Sequence, residues 1–401
     1  MRFETVNELI ETIENRRSFR VNRDALRGFL EKYNNPQLEL KTIHIAGTNG
    51  KGSTTNYISH ILMEQGYLVG MFTSPYLVTH FDRIRVNDID IPGDVMLSLA
   101  NQYWDDIELF ELNMFEIDFV LSVFYFRKMK VDFAVYEVGM GGRLDATNSI
   151  SPLVCGITNI GMDHMQYLGD TYAKIAYEKA GIMKNGVSCF TTEQKSECCS
   201  VMQEYAVSVG ASFHEVSLLN VKSYPPLVVE SEFGELVLGD VALYQRNNVS
   251  LALAMIQELK RLGIAIDDIA IQNGVKTIWK GRFERVRDNV YLDGAHNLEG
   301  VIALCKSIDA IRENRRVRIV FACLKDKPFD RMLEYLKQHC DELILTCIDV
   351  PRACKASDYG EEYTVVEEYT KAIDGAITSD DLVFITGSLY FITEAKKYLS
   401  M

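Results

Sequence analysis

An α/β fold of two domains, each built on a mostly parallel sheet, is predicted by three observations. Short apolar runs rich in β-branched residues alternate with stretches of helical periodicity along the chain. A glycine-rich turn falls between the first strong strand pattern and the helix behind it. The 401 residues exceed what one ordinary core holds.

Taken in order, residues 5–33 read as two short amphipathic helices, with Leu9, Ile10 and Ile13 on one face and Leu26, Phe29 and Leu30 on another. Residues 41–47 (KTIHIAG) read as a buried strand ending in a turn. A helix follows over 53–65, with Gly66 at its C-cap, and then a strand over 67–74. The alternation continues with a buried helix at 115–129, strands at 131–138 and 153–158, a helix at 171–184, a strand at 187–191 and a helix at 195–209. Pro225, Pro226, Gly234 and Gly239 mark 212–240 as a small antiparallel excursion, after which 245–262 is helical. The pattern restarts at NVYLDG (289–294). It runs through helices at 297–313, 328–338, 365–377 and 388–399 and strands at 317–323, 342–348 and 382–386. The expected division is 1–283 and 289–401, with the hinge between Phe283 and Asn289.

Composition excludes several classes. With 42 basic against 56 acidic residues, the net charge of −14 argues against a nucleic-acid binder, and an anionic substrate must be held by local cations, metals and backbone amides. The nine cysteines form no CxxC pair, so neither a zinc ribbon nor a disulfide framework is expected, and free thiols fit a reducing cytoplasm. The acidic N-terminus has no apolar signal core, and no run of 18 apolar residues predicts a membrane span. No sustained heptad suggests oligomerisation, so a monomer is expected.

The strongest chemical signal is Gly47-Thr48-Asn49-Gly50-Lys51-Gly52-Ser53-Thr54, between strand and helix. Glycines let the backbone turn its amides toward an anion, and the helix N-terminus adds free N–H groups and a positive dipole end. Lys51 would reach the β/γ-phosphates of a nucleotide, and the hydroxyl of Ser53 or Thr54 could face a magnesium ion. The match to G-x-x-x-x-G-K-[ST] is imperfect, because Ile45 stands five before Gly50 and Gly52 follows the lysine. A dinucleotide site is disfavoured: Gly139-Met140-Gly141-Gly142 follows a strand, but Leu144 breaks G-x-G-x-x-G. Glu137, at a strand end, is either a ligand for a hard cation or a solvated loop acid. His164, beside Asp163, is either structural or a ligand. Lys179, on a helix with Ile175, Ala176, Ala180 and Ile182, reads from the residues alone as readily as a surface ion-pair partner as a functional group.

These segments occur in one order with TSPYL (73–77), FDRIRV (81–86), Phe115-Glu116, EVGMGGRLDATN (137–148), TNIGMDHMQYLGDT (158–171), EKAGI (178–182), WKGRFE (279–284), LDGAHN (292–297) and GSLYF (387–391). Together they resemble the folylpolyglutamate synthase/dihydrofolate synthase branch of the Mur ligase family, over about residues 5–398. The resemblance implies a P-loop, Mur-ligase-type N-terminal domain and a smaller Rossmann-like C-terminal domain. It implies an ATP-dependent ligase that activates a folate or dihydropteroate carboxylate as an acyl phosphate and joins it to L-glutamate, with two Mg²⁺ ions.

Residue by residue, the resemblance places the phosphates on Lys51 and the loop amides. Ser74 and Glu137 match ligands of the first Mg²⁺, and His164 of the second. Lys179 matches a lysine that becomes carbamylated. Gln245 and Asn248, with Arg282, match ATP-contacting positions on the first domain; Asp293 and His296 match positions on the second that close over the nucleotide. Phe115, Arg143 and Asp145 fall where the acceptor substrate binds. Two motifs depart from the pattern. Tyr244 stands where His-Gln-x-x-Asn has its histidine, and residues 20–27 lack the Gly-Leu-x-Arg that helps seat the pterin. A Mur-type ligase for a non-folate acceptor and a non-catalytic nucleotide-binding relative are the alternatives.

Overall fold

The computed structural model describes residues 2–18, 23–378 and 380–400. Residues 19–22, within the stretch expected to seat a pterin, lie outside the described residues. Contacts divide the chain into Met1–Leu219 with Asn247–Thr277, and Asn220–Arg246 with Ile278–Met401.

The strands of the first unit are β1 (Thr42–Ala46), β2 (Val69–Phe72), β3 (Ile84–Val86), β4 (Ile89–Asp90), β5 (Phe133–Glu137), β6 (Pro152–Ile157), β7 (Ser188–Thr191) and β8 (Ser212–Glu215). They form one sheet in the order β4-β3-β2-β5-β1-β6-β7-β8. All neighbours pair in parallel except β2–β3 and β3–β4. The helices are α1 (Val6–Asn15), α2 (Arg23–Lys32), α3 (Lys51–Glu64), α4 (Gly93–Leu109), α5 (Met114–Met129), α6 (Met165–Leu168), α7 (Tyr172–Ala180), α8 (Ser196–Val209), α9 (Gln245–Arg261) and α10 (Asp268–Gly274). The first two residues of α9 group with the second unit.

Every residue of β1 and β5 is buried, as expected for parallel strands covered on both faces. One apolar cluster joins Phe72 and Tyr136 of the sheet to Leu9 and Ile13 of α1, Trp104 of α4 and Phe119 of α5. A second joins Cys155 and Ile157 to Ile175 of α7 and Met202 of α8. The chain leaves β1 for β2 on one side and reaches β6 on the other, so β1 sits at the reversal of strand order. Ligands of open parallel sheets bind outside the carboxyl ends of strands at such a point.

In the second unit, β9 (Asn220–Ser223), β10 (Leu227–Ser231) and β11 (Gly234–Gly239) make a small antiparallel sheet. The larger sheet contains β12 (Glu284–Arg287), β13 (Val290–Leu292), β14 (Val317–Phe321), β15 (Glu342–Cys347), β16 (Thr364–Glu368) and β17 (Leu382–Thr386), in the order β12-β13-β17-β14-β15-β16. Only the β12–β13 pair is antiparallel. Helices α11 (Leu298–Arg312), α12 (Phe329–Lys337), α13 (Tyr369–Ala376) and α14 (Leu389–Leu399) complete it.

Two expectations need correction. The excursion expected over 212–240 starts later, because Ser212–Glu215 pairs in parallel with β7 as the edge of the main sheet. The helix expected over 365–377 begins at Tyr369, because the β-branched run Thr364-Val365-Val366 pairs with β15 instead. Among the described residues, no helix is long and apolar enough to cross a membrane.

The loop from Ser74 to Arg83 is fastened by buried charge. His80 Nε2 lies 2.8 Å from Asp118 Oδ1, and its Nδ1 lies 3.3 Å from Glu14 Oε1. Arg83 Nε lies 3.5 Å from Asp118 Oδ2, and the Tyr76 hydroxyl donates to Glu14 at 2.9 Å. Burial, the largest single influence on His80, acts to lower its pKa. The charges and hydrogen bonds of Asp118 and Glu14 outweigh burial and the opposing Arg83, so the net shift is upward. Because the folded pKa lies above the unfolded value of about 6.5, this stabilisation is complete below that pH and is lost as pH rises through the folded value. Asp118→Asn should therefore cost about 3 kcal/mol by chemical denaturation at pH 6 and clearly less at pH 9. An equal loss at both pH values would mean that His80 does not change charge between them.

Candidate active site

The turn from β1 into α3 is built from backbone. Gly47 and Gly50 have φ of 142° and 86°, in the region that glycine adopts readily. Neither position has room for a side chain: a Cβ on Gly47 would stand 1.8 Å from Thr158 Oγ1, and one on Gly50 would stand 2.1 Å from Asn248 Oδ1. The segment after β6 holds the loop in place. Thr48 N donates to Asn159 O at 2.9 Å, and Asn49 N donates to Asn159 Oδ1 at 2.8 Å. Thr158 Oγ1 donates to Asn49 O at 2.6 Å, and Gly161 N donates to Thr48 Oγ1 at 2.8 Å. The N-cap of α3 is Gly50, which has no side chain to cap the helix, and the first turn, which contains Lys51 and Gly52, carries no acid. Its amides and dipole are left to an external anion. Ser53 and Thr54 are both buried, and Thr54 Oγ1 has no hydrogen-bond partner in the protein.

The ends of β2 and β5 and the helix α7 converge beside this loop. Glu137, the last residue of β5, is 4% exposed; its Oε2 accepts from Ser74 N at 3.1 Å, and its Oε1 lies 4.0 Å from Lys51 Nζ. Lys51 Nζ also donates to Thr48 O at 3.2 Å. Lys179, on α7, is equally buried and donates to Gly47 O at 2.8 Å. That position settles the reading left open from sequence, since Lys179 is not a surface ion-pair partner. Burial, then the neighbouring charge of Lys51, pulls its pKa down to about 7, against the opposing pull of Asp163 and Asp145. Two lysines and a helix N-terminus thus face one small volume, a fit for phosphate.

Among the described residues, no three His, Cys, Asp or Glu side chains are grouped to hold a metal ion. One buried carboxylate beside a phosphate loop nevertheless fits Mg²⁺, which keeps several waters and takes one or two carboxylates plus substrate phosphates. His164, the exposed N-cap of α6 at φ 52°, has its backbone N fixed by Asp163 Oδ1 at 2.8 Å.

Of the three expected acceptor residues, Phe115 lies against Phe72 at 5.4 Å between ring centroids, and its ring covers Gly139, where a Cβ would be 2.5 Å away. Asp145 accepts from Met140 N at 2.9 Å and from Thr147 Oγ1 at 2.5 Å, and burial raises its pKa despite these bonds. Thr147 passes the chain on to His44 Nε2 at 2.8 Å; His44 is fully buried, and burial lowers its pKa to about 3, so it is neutral. Arg143 is tied to Glu178 by two guanidinium nitrogens at 3.1 and 2.9 Å. Glu116, beside Phe115, forms a capping box with Asn113, and burial, the largest influence, raises its pKa to about 7. Sequence reasoning missed Asn159 and Thr158, although both lie in a quoted motif; side-chain bonds to loop backbone have no periodic signature.

In the second unit, Asp293 follows β13 and is 2% exposed. It accepts from Tyr244 Oη at 2.5 Å, Phe283 N at 2.9 Å and Ala295 N at 2.9 Å. Burial raises its pKa, while nearby Arg282 and these bonds oppose the rise. Arg282 lies over Gly294, where a Cβ would meet its Nη1 at 2.1 Å, and His296 Nδ1 lies 2.8 Å from Gly294 O. Gln245 and Arg282 group with this unit, not with the first as expected, while Asn248 stays in the first beside Gly50.

Comparison with known proteins gives the same assignment as the motifs. Residues 45–206 match the Mur ligase middle domain, and residues 281–389 match the Mur ligase glutamate ligase domain. The chain is 36% identical to a dihydrofolate synthase/folylpolyglutamate synthase of Bacillus subtilis, over 93% of its own length and 94% of that relative's. It is 26% identical to Escherichia coli FolC in complex with DHPP and ADP, with a TM-score of 0.88 over 99% of this chain and 98% of that one. A bifunctional folylpolyglutamate synthase/dihydrofolate synthase with Mn, AMPPNP and L-glutamate bound is 25% identical, with the same TM-score and the same coverage. With the phosphate loop, its buried lysines and both matched domains in place, the chain belongs to the folylpolyglutamate synthase/dihydrofolate synthase branch of the Mur ligase family.

Proposed function

We propose that this chain is an ATP-dependent ligase that adds L-glutamate to folate, with dihydropteroate as a further acceptor. The observation that carries the reading is the convergence of Lys51, Lys179 and Glu137 on the turn between β1 and α3. The acceptor's carboxylate oxygen attacks the γ-phosphorus of ATP and ADP leaves, giving an acyl phosphate. The amine of glutamate then attacks the acyl carbon, loses a proton and expels inorganic phosphate. Phosphoryl transfer needs positioning and charge neutralisation more than a nucleophilic side chain, and this site offers just that.

In this reading the loop from Gly47 to Thr54 holds the phosphates through backbone amides at the N-terminus of α3, those of Thr48 and Asn49 being engaged by Asn159, and Lys51 adds a cation at the β/γ-phosphates. Magnesium, when bound, neutralises phosphate oxygens; Ser74 and Glu137 would hold one ion and His164 a second. Phe115 and Asp145 bound the acceptor site. Arg143 braces it through Glu178. Gln245, Asn248 and Arg282 contact the nucleotide, as do Asp293 and His296. The enzyme works as a monomer in a reducing cytoplasm, in keeping with nine free cysteines.

Lys179 takes a second proposed role. A cation buried 2.8 Å from Gly47 O and near Lys51 is electrostatically strained, whereas its neutral amine is a nucleophile toward CO₂. Attack forms an N–C bond and releases a proton, leaving a carbamate whose negative charge favours Lys51 and a metal ion.

Four outcomes test this. Incubation with Mg·ATP, glutamate and tetrahydrofolate, followed by mass spectrometry, should show one added glutamate and one ADP per turnover, and dihydropteroate should also be extended. ADP formed with neither acceptor would move the reading to a non-folate ligase, and no ADP at all to a nucleotide-binding relative. Lys51→Ala should lower kcat by at least about a hundredfold with an unchanged circular dichroism spectrum; near-normal ligation would remove the loop from the mechanism. Lys179→Ala should lose about a hundredfold and regain part with added acetate. In the wild type, dependence on added CO₂ should emerge as pH rises from 6 to 8, because the neutral amine gains through a pKa of about 7. Full activity in CO₂-free buffer at pH 8 would exclude the carbamate.

A further inference from the structure

The second unit contains a buried thiol pair that ligation does not use. Beyond β14 the chain runs Ala322-Cys323-Leu324-Lys325, and the loop after β15 returns alongside it. Leu324 and Ala353 form an antiparallel bridge. Cys354 N donates to Cys323 O at 3.0 Å, and Lys325 N donates to Arg352 O at 2.9 Å. This short ladder sets Cys323 opposite Cys354, with their sulfurs 3.5 Å apart. The two side chains are 0% and 1% exposed. The Tyr359 hydroxyl lies 3.9 Å from Cys323 Sγ, and Lys325 Nζ pairs with Asp358 at 2.8 Å, which ties the same loop down at two further points.

The other cysteines offer an internal contrast. Cys155 and Cys189 face each other in register on β6 and β7 and are both fully buried. Cys155 Sγ nevertheless turns away, toward Ile182 O at 3.4 Å. Among the described residues, only Cys323 and Cys354 bring two sulfurs into contact.

We propose that Cys323 and Cys354 form a reversible disulfide site that reacts with small-molecule disulfides and staples the loop after β15 to the end of β14. The thiolate of Cys354 attacks one sulfur of the reagent, whose S–S bond breaks, and the first small thiolate leaves. Cys323 then gives its proton to solvent and attacks Cys354 Sγ in the mixed disulfide, expelling the second thiolate. One S–S bond is made in the protein and one is broken in the reagent; two electrons pass to the reagent, which ends as two thiols. Contact with Cys323, aided by Lys325, outweighs burial and the opposing charge of Asp358 and holds the Cys354 thiol below its ordinary pKa, which favours it as the attacking sulfur. Both sulfurs are buried, so loop opening precedes reaction and the pair forms slowly. The staple would lie at the carboxyl end of a parallel sheet, where loops gather around ligands. Closing it immobilises the loops after β14 and β15 together.

The test is to incubate the full native chain with oxidised glutathione, quench with an alkylating reagent, digest, and read the peptides by mass. The expected result is one cross-linked pair containing Cys323 and Cys354, reversed by dithiothreitol, with Cys155 and Cys189 recovered as alkylated thiols. Recovery of Cys323 and Cys354 both alkylated, or their joining only after denaturation, would overturn the proposal. Two variants check the order of attack without depending on the cross-link. Cys323→Ser should leave Cys354 carrying glutathione, and Cys354→Ser should leave Cys323 unmodified. The reverse pattern would overturn the assignment of Cys354 as the attacking sulfur.

Discussion

The first unit depends on a turn that tolerates no side chain. Between β1 and α3 the backbone takes positive φ at Gly47 and Gly50, with Thr158 and Asn248 filling the space a Cβ would need. Because these neighbours come from the end of β6 and from α9, the turn orders two distant segments around itself. Thr158 and Asn159 then bond directly to the loop and fix the course of its backbone. A larger residue at either glycine would have to move elements that are otherwise fully packed, since α3 is buried on nearly every side.

That geometry also governs the charges. The chain as a whole carries −14, yet its phosphate loop gathers Lys51, Lys179 and an uncapped helix N-terminus against one close carboxylate, Glu137. Short-range placement therefore sets cations at the loop despite the net charge, although Asp163 and Asp145 also act on Lys179. Lys179 bears the cost of this crowding. It is buried against a carbonyl and repelled by Lys51, which together pull its pKa down to about 7.

Much of this was legible in the residues. The strand–glycine–lysine–helix order located the phosphate loop, and the β-branched runs located nearly every parallel strand, because a strand buried on both faces must be apolar throughout. What stayed hidden was set by tertiary contact. Lys179 stayed open between a surface ion pair and a functional role because a helix with an apolar face ordinarily turns its lysines to water; its packing against Gly47 O shows it buried. Ser212–Glu215 has an exposed, polar pattern and joins the sheet solely because β7 offers an open edge. Gln245 and Arg282 were assigned to the first domain because motif order alone cannot say which unit a residue packs in.

The departure at Tyr244 follows from the same reasoning. Asp293 is buried and accepts three hydrogen bonds, two of them from the backbone at Phe283 and Ala295 on either side of the β12–β13 hairpin. The third donor must come from a side chain that reaches Oδ2, and the phenol of Tyr244 does so at 2.5 Å. An imidazole N–H could meet the same need, so exchanging histidine for tyrosine preserves the donor while changing its reach and volume. Burial, then the charge of Asp293, raises the Tyr244 pKa well above its ordinary value, so Asp293 has a neutral donor where an imidazole could also carry charge, and the nearby Arg282 favours its ionised form. In this chain Tyr244 supplies one hydrogen bond to the carboxylate that organises the turn.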